Sequence, residues 1–304
     1  MSSLTAAVLD ADYVIDDGLT VRLFGVTPDG TPVIAEDTGF RPYFYAVPDG
    51  DAAAARDAVA AAEFEVDGEQ LRPVEATVTE MTDGRDKVDV LKIVVAEPPQ
   101  VPKIRENVAA LDAVAETREF DIPFYKRYLI DTDTPPVEWV ELTGETDSSG
   151  DIQRVALDAP PRPADDQDYE FSTLAFDLEV YEDEVIMCSF YADGEETVLV
   201  QDVDGMDADY VEEVAGEKAL LERMLDIVDD HDPDLLLGYN TDEYDFDVLR
   251  DRAEEHGIEL TMGRTREQMR FKRRGRFSGA YLEGRVHLDL YAFVENVVSM
   301  GMQS

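Results

Sequence analysis

The sequence predicts a mixed α/β protein, α+β overall, with a strand-rich N-terminal domain followed by a second α/β domain. Three observations lead there. β-Branched runs separated by Gly and Pro turns dominate residues 1–130, and residues 131–168 are crowded with Pro, Gly and Asp. From Tyr169 the periodicities then run strand, strand, strand, helix, strand, helix. At 304 residues the chain is long enough for about two domains, and 44% hydrophobic with 9% aromatic residues suits ordinary globular cores.

Residues 6–15 and 19–26 meet through Asp16-Asp17-Gly18, a hairpin signal, and Pro28-Asp29-Gly30-Thr31-Pro32 marks the next turn. Residues 51–62 are alanine-rich and helical, 87–95 alternate as a strand, and 103–111 form a short helix behind Pro102. Pro135-Pro136, Gly144, Ser148-Ser149-Gly150 and Pro160-Pro161-Arg162-Pro163 leave room only for short strands at 137–142 and 152–157. Residues 131–168 therefore read as a linker between domains 1–130 and 169–304. The second domain reads as strands 171–181, 184–191 and 196–202, helix 218–229, a buried strand 234–239 and helix 245–257. A strand at 285–290 and a helical stretch at 292–298 follow.

No apolar run reaches the roughly 18 to 20 residues of a membrane span, and no basic flank precedes an apolar N-terminal stretch. The expectation is a soluble, cytoplasmic protein with no membrane partner. Cys188, the one cysteine, sits in the apolar run 185–191 and reads as a small buried residue. The net charge of −44 argues at first against a polyanionic partner. The acids are spread through nearly every segment, however, as in proteins kept soluble at very high salt, where the Debye length is about 3 Å at 1 M. Against that background residues 263–277 stand out. They carry Arg264, Arg266, Arg270, Lys272, Arg273, Arg274 and Arg276 against the single acid Glu267. With Gly275, Met269, Phe271 and Phe277 interleaved, this reads either as a hairpin tracking nucleic-acid phosphates or as a loop paired with neighbouring acids.

Two acidic motifs carry the chemistry. With 70 acidic residues in the chain, an acid-x-acid pair arises by chance at roughly one position in twenty, so context must decide. Alternation along Leu174-Ala175-Phe176-Asp177-Leu178-Glu179-Val180 puts Asp177 and Glu179 on one strand face and only apolar side chains on the other. Two carboxylates about 6.5 to 7 Å apart on one face can share a hard cation, and burying both without one costs several kcal/mol. The second motif runs from Tyr239-Asn240 to Tyr244-Asp245-Phe246 at a strand-to-helix junction, the usual place for ligands in α/β sheets. Helix capping explains Asp242 and Glu243 but not Asp245.

The two motifs, in this order and spacing, resemble the first two exonuclease motifs of family B DNA polymerases. Leu9-Asp10-Ala11-Asp12-Tyr13, Phe40-Arg41-Pro42-Tyr43-Phe44-Tyr45, Val101-Pro102-Lys103-Ile104-Arg105-Glu106 and the block from Phe120-Asp121-Ile122-Pro123-Phe124 through Tyr125-Lys126-Arg127-Tyr128-Leu129 resemble the archaeal branch. The resemblance implies a ribonuclease-H-like 3′–5′ exonuclease domain behind the N-terminal domain. It implies Asp177, Glu179 and Asp245 as catalytic carboxylates holding two Mg²⁺ or Mn²⁺ ions. Asn240 and Tyr244 would contact the 3′-terminal nucleotide, and Arg270, Lys272, Arg273 and Arg274 the DNA backbone. The archaeal branch also implies a template-uracil pocket lined by Tyr13, Pro42, Tyr43, Pro98, Val101, Ile122, Phe124 and Arg127. Implied partners are the single-stranded template, the 3′ primer end, the remainder of the polymerase and a sliding clamp.

The family's third exonuclease motif, a tyrosine followed four residues later by aspartate, is expected beyond Asp289-Leu290-Tyr291. Tyr291 and Glu295 have similar spacing but look like the preceding helix. The resemblance therefore implies a C-terminally truncated domain, inactive alone. A non-catalytic DNA-binding module and a free-standing exonuclease of the same fold are the alternatives.

Overall fold

The computed structural model describes residues 2–202, 205, 208–274 and 277–295. The N-terminal half comprises β1 (Ser2–Ile15), β2 (Leu19–Val26), β3 (Pro32–Asp37), β4 (Tyr43–Pro48), α1 (Ala52–Ala60), β5 (Phe64–Val66), β6 (Glu69–Leu71), β7 (Glu75–Asp83) and β8 (Asp86–Val94). It continues through α2 (Gln100–Ala109), β9 (Val114–Arg118), α3 (Phe124–Asp131), β10 (Trp139–Asp147), β11 (Gln153–Leu157) and β12 (Arg162–Pro163).

Strand β1 pairs with β2 on one side and β10 on the other, while β3 joins β2 antiparallel and β11 in parallel. Since β11 also pairs with β10, five strands close into a barrel. Closure satisfies both edges of most strands, which an open sheet cannot do. Small inward side chains suit so narrow a barrel: Ala6, Val8, Val21, Val33, Ala35 and Val155 form its core, capped by Phe124 and Tyr128 of α3. The buried Tyr128 hydroxyl donates to Asp37 at 3.0 Å. Residues 131–168, read from composition as a linker with short strands, supply β10, β11 and β12 to this same sheet.

Strands β4 to β9, with α1 and α2, form a second unit. Its antiparallel sheet has the order β7-β8-β4-β9, and α1 and α2 bury Val59, Ile104 and Val108 against Phe44, Leu91 and Ile93. Asp51 caps α1 by accepting the Ala54 N–H at 2.8 Å.

The second half holds β13 (Thr173–Tyr181), β14 (Glu184–Ala192), β15 (Glu195–Gln201), β16 (Val211–Val214), α4 (Gly216–His231) and β17 (Leu235–Gly238). A single π turn (Thr241–Asp245) leads into α5 (Phe246–His256), followed by β18 (Arg270–Arg274), β19 (Phe277–Tyr281), β20 (Val286–Asp289) and α6 (Leu290–Phe293). The sheet order is β16-β15-β14-β13-β17-β20, with β13 central, antiparallel to β14 and parallel to β17. Helices α4 and α5 cover one face only, packing Leu220, Met224, Phe246 and Leu249 on Leu174, Phe176, Leu178 and Cys188. Of the helical stretch expected at 292–298, only residues 292–295 are described; α6 ends at Phe293, and 296–298 lie outside the described residues.

Among the described residues, apolar and charged contacts join the halves. An apolar seam packs Ala7, Leu9, Val26 and Trp139 of the barrel against Tyr169, Phe171 and Val286. Beside it, Arg22 of β2 forms two hydrogen bonds to Asp12, at 2.6 and 2.8 Å, and reaches Glu283 at 3.2 Å.

Candidate active site

The open face of the second sheet carries the first motif. Burial along β13 alternates as the sequence implied: Leu174, Phe176 and Leu178 are buried, Asp177 and Glu179 exposed. The two carboxylates therefore stay in water, and the cost of burying them does not arise. Ala175, Asp177, Ser189, Tyr191, Glu196 and Val198 border a cavity of about 300 Å³ on this face.

The second motif is built by an irregular turn. Asn240 adopts φ 62°, the left-handed conformation that Asn tolerates better than most residues. A Cβ at Gly238 would collide with the Thr241 side chain, so glycine lets β17 and the turn approach closely. The Asp289 carboxylate accepts the N–H groups of Asn240 at 2.8 Å and Asp242 at 3.1 Å, and Thr241 Oγ1 lies 2.8 Å from His287 Nε2. Helical periodicity alone placed the start of a regular helix at Asp245. The π turn shifts that register and presents Asp245 toward β13, and single π turns are frequent at functional sites.

Asp245 is 3% exposed, and its carboxylate accepts the backbone N–H of Leu178. Burial and the neighbouring Asp177 carboxylate, with a smaller push from Asp289, raise it to about 6. Asp177 and Asp245 are thus brought together as a mutually repelling pair, with Glu179 one strand step along the same face. Among the described residues no three carboxylate, histidine or cysteine side chains are arranged to hold an ion. Of the three carboxylates implied by the resemblance, Asp177 and Glu179 are exposed and Asp245 is buried beside Asp177. The repulsion within the Asp177–Asp245 pair is nonetheless what a divalent cation would relieve.

Tyr239 and Tyr244 are exposed beside the turn, and the Tyr239 ring lies 5.5 Å from that of Tyr291. The basic cluster divides. Arg264 is buried against Asp232 and Asp234, Arg266 pairs with Asp229, and Arg270 pairs with Glu283, so these three follow the alternative of a segment paired with acids. Strands β18 and β19 do form the expected hairpin, held to the site where Asp242 accepts the Ala280 N–H at 3.0 Å. The side chains of Lys272, Arg273 and Arg274 lie outside the described residues. The turn-shaping role of Asp289 was missed from sequence, where it lay inside the strand expected at 285–290, and Asp242 was read there as a helix cap.

In the N-terminal half the expected pocket residues come from four segments. Tyr13 of β1 meets Phe124 edge-on at 5.3 Å, and Phe40 stacks behind Phe124 at 5.5 Å. Arg127 lies 5.0 Å from the Tyr43 ring centre and donates to Glu119 at 2.7 Å, while the Tyr43 hydroxyl donates to Asp131 at 2.6 Å. The Pro42 carbonyl accepts the Val95 N–H, the Pro98 carbonyl just ahead of α2 accepts the Val101 N–H, and Ile122 is half-buried ahead of α3.

Residues 115–301 match the family described as "DNA polymerase family B, exonuclease domain". The chain belongs to the family B DNA polymerases. It is 30% identical over 293 residues to DNA polymerase 1 of Pyrococcus abyssi, covering 96% of this chain and 35% of that protein. The DNA polymerase of Thermococcus gorgonarius is 31% identical over 293 residues with the same coverage. The structure of the family B DNA polymerase from the hyperthermophilic archaeon Pyrobaculum calidifontis superposes with a TM-score of 0.79 at 27% identity, over 97% of this chain and 38% of that one. The chain thus spans about a third of the length of these curated relatives. The family B exonuclease domain implies divalent-metal use. No described helix is long and apolar enough to cross a membrane.

Proposed function

We propose that this chain provides the 3′–5′ proofreading exonuclease region of a family B polymerase, hydrolysing the terminal phosphodiester of a frayed DNA 3′ end. The observation that carries the reading is the Asp177–Asp245 pair, one carboxylate from a central strand and one from a π turn, within a family B exonuclease domain. Asp177, Glu179 and Asp245 would hold Mg²⁺ or Mn²⁺, which supplies Lewis-acid stabilisation of charge on the phosphodiester. Asn240 and Tyr244 would position the terminal nucleotide, with the Tyr244 ring as a stacking surface. Lys272, Arg273 and Arg274 would track the backbone. Arg270 contributes less, because Glu283 already holds it. In this reading the site works with the remainder of the polymerase, and a sliding clamp would engage the whole assembly. The exposed Asp177 and Glu179 also suit the second reading, a DNA-binding module without hydrolysis, because no three-ligand group forms among the described residues.

Incubating the chain with single-stranded DNA and Mg²⁺ in molar salt, beside Asp177→Ala, separates the two. Release of nucleoside monophosphates that Asp177→Ala abolishes supports the exonuclease. Tight binding without release supports the module.

We also propose that the Tyr13, Pro42, Tyr43, Pro98, Val101, Ile122, Phe124 and Arg127 region captures uracil in the template strand. The supporting observation is that α3 meets both units, Phe124 touching the Tyr13 ring of the barrel and Arg127 lying over the Tyr43 ring of the four-stranded sheet. A flipped base needs apolar and aromatic walls of this kind. The expected result is tighter binding of an oligonucleotide containing one uracil than of its thymine counterpart, and equal affinity would remove the proposal.

A further inference from the structure

A second polar site lies away from the exonuclease carboxylates. A cavity of about 390 Å³ opens between barrel loops, at Pro32 and Gly150 to Arg154, and the second domain. Its wall includes Arg264 and Arg285, 5% and 2% exposed at their side chains. Burying two guanidiniums side by side requires compensation. Asp232 supplies part of it, accepting Arg264 Nε and Arg285 Nη2 at 2.9 Å each, and Asp234 accepts Arg264 Nη2 at 2.8 Å. Arg285 Nη1 donates to the Met262 carbonyl. Two donors remain: Arg264 Nη1 and Arg285 Nε are buried without a hydrogen-bond partner. A buried N–H left unmatched is costly and rare in native structures, and an ion or water usually accounts for it. Burial pulls the Arg285 guanidinium below its ordinary value, and Arg264 adds to that, which a nearby anion would relieve.

The cavity mouth adds Arg154, paired with Glu36, and Arg266, paired with Asp229. The carboxylates that also face the cavity are Asp151, Asp229 and Asp232; the last two are already engaged by arginines. Unmatched arginine N–H groups suit a tetrahedral oxyanion, because guanidinium forks match phosphate oxygens geometrically.

We propose that Arg264 and Arg285, with Arg266 at the mouth, form a phosphate-binding site at the seam between the two halves. Its ligand is inorganic phosphate or the terminal phosphate of a small nucleotide. The assignment is independent of the exonuclease reading.

Calorimetric titration of the chain with sodium phosphate, and separately with dTMP, at constant ionic strength and with EDTA present tests it. The expected result is one saturable phosphate site per chain, weakened roughly tenfold in Arg266→Gln and unchanged in Arg41→Gln. Arg266 is mostly exposed, so its replacement keeps the test decisive where Arg264→Gln or Arg285→Gln fails to fold. Binding of dTMP that phosphate displaces, and that is tighter than phosphate itself, identifies the nucleotide as the ligand. Displacement with equal or weaker affinity identifies free phosphate. Heat from dTMP that phosphate does not displace belongs to another site, and the phosphate titration then decides alone. Absence of saturable phosphate binding, or equal affinity in Arg266→Gln, overturns the proposal.

Discussion

Asp245→Asn is expected to yield a protein that is more stable and has lost Mg²⁺-dependent 3′-end degradation. In the native chain burial and Asp177 raise the Asp245 carboxyl to about 6, against about 4 when unfolded. A raised carboxyl favours folding while protonated, and that contribution is lost as pH rises through 6. At pH 8 the charge therefore opposes folding, with a ceiling near ~3 kcal/mol for a carboxyl moved from 4 to 6. After relaxation of the turn, about 1 to 2 kcal/mol is the gain expected from asparagine at pH 8, shrinking toward zero near pH 4. Denaturant unfolding at the two pH values measures it. Excess Mg²⁺ should stabilise the native chain, by about 2.7 kcal/mol at a hundred times its Kd, and leave the variant nearly unmoved. A variant less stable than the native chain at pH 8 would refute the electrostatic account of this site. Stability withheld in favour of function is a recurrent trade at active sites.

The second large effect lies behind the sheet. Glu217, at the start of α4, accepts Arg252 of α5 at 2.8 and 2.5 Å, the Val185 N–H of β14 at 2.8 Å, and approaches His256 Nε2 at 2.7 Å. One carboxylate thus ties two helices and a strand. Burial alone would raise its carboxyl, but Arg252, the Val185 N–H and His256 together outweigh it and hold it at about 2. Glu217→Ala leaves the Val185 N–H unmatched and the largely buried Arg252 guanidinium with Glu255 as its remaining carboxylate, so a loss of about 2 to 4 kcal/mol is expected at pH 7. Because the carboxyl is depressed, its contribution is present above about pH 4 and disappears as pH falls toward 2. Urea titrations should show the native and Glu217→Ala curves converging over that interval. A gap independent of pH would mean that packing, not charge, holds the three elements together.

How far the sequence revealed this arrangement depended on the range of the interaction concerned. The exposure of Asp177 and Glu179 opposite Leu174, Phe176 and Leu178 follows from a period of two, a local property of β13. The hairpin at β18 and β19 was legible for a similar reason, from glycine and apolar spacing. The π turn was not, because its register depends on Asp289, 44 residues beyond Asp245 in sequence, accepting N–H groups that a regular helix would leave to its own cap. The role of Arg264 was also hidden. In a basic run it resembles its neighbours, and only the fold brings Asp232 and Asp234 to it. The segments that form β10 and β11 are interrupted by Gly144 and flanked by prolines, so composition marked them as connecting chain with short strands, whereas their partners β1 and β3 lie more than a hundred residues away.

That separation has a consequence for how the protein is made. Ser2 faces Gly144 and Val33 faces Gln153 in the finished barrel, so β1 to β3 cannot complete their pairing until the ribosome has delivered β11. The unit from β4 to β9 is contiguous, with its own core of Phe44, Leu91, Ile93 and Ile104, and can consolidate while the first three strands still wait. An autonomous early-folding insertion shortens the effective loop that barrel closure must bridge, because its ends are already held near each other. During synthesis, therefore, the segment that interrupts the barrel in sequence is also what makes its completion entropically feasible.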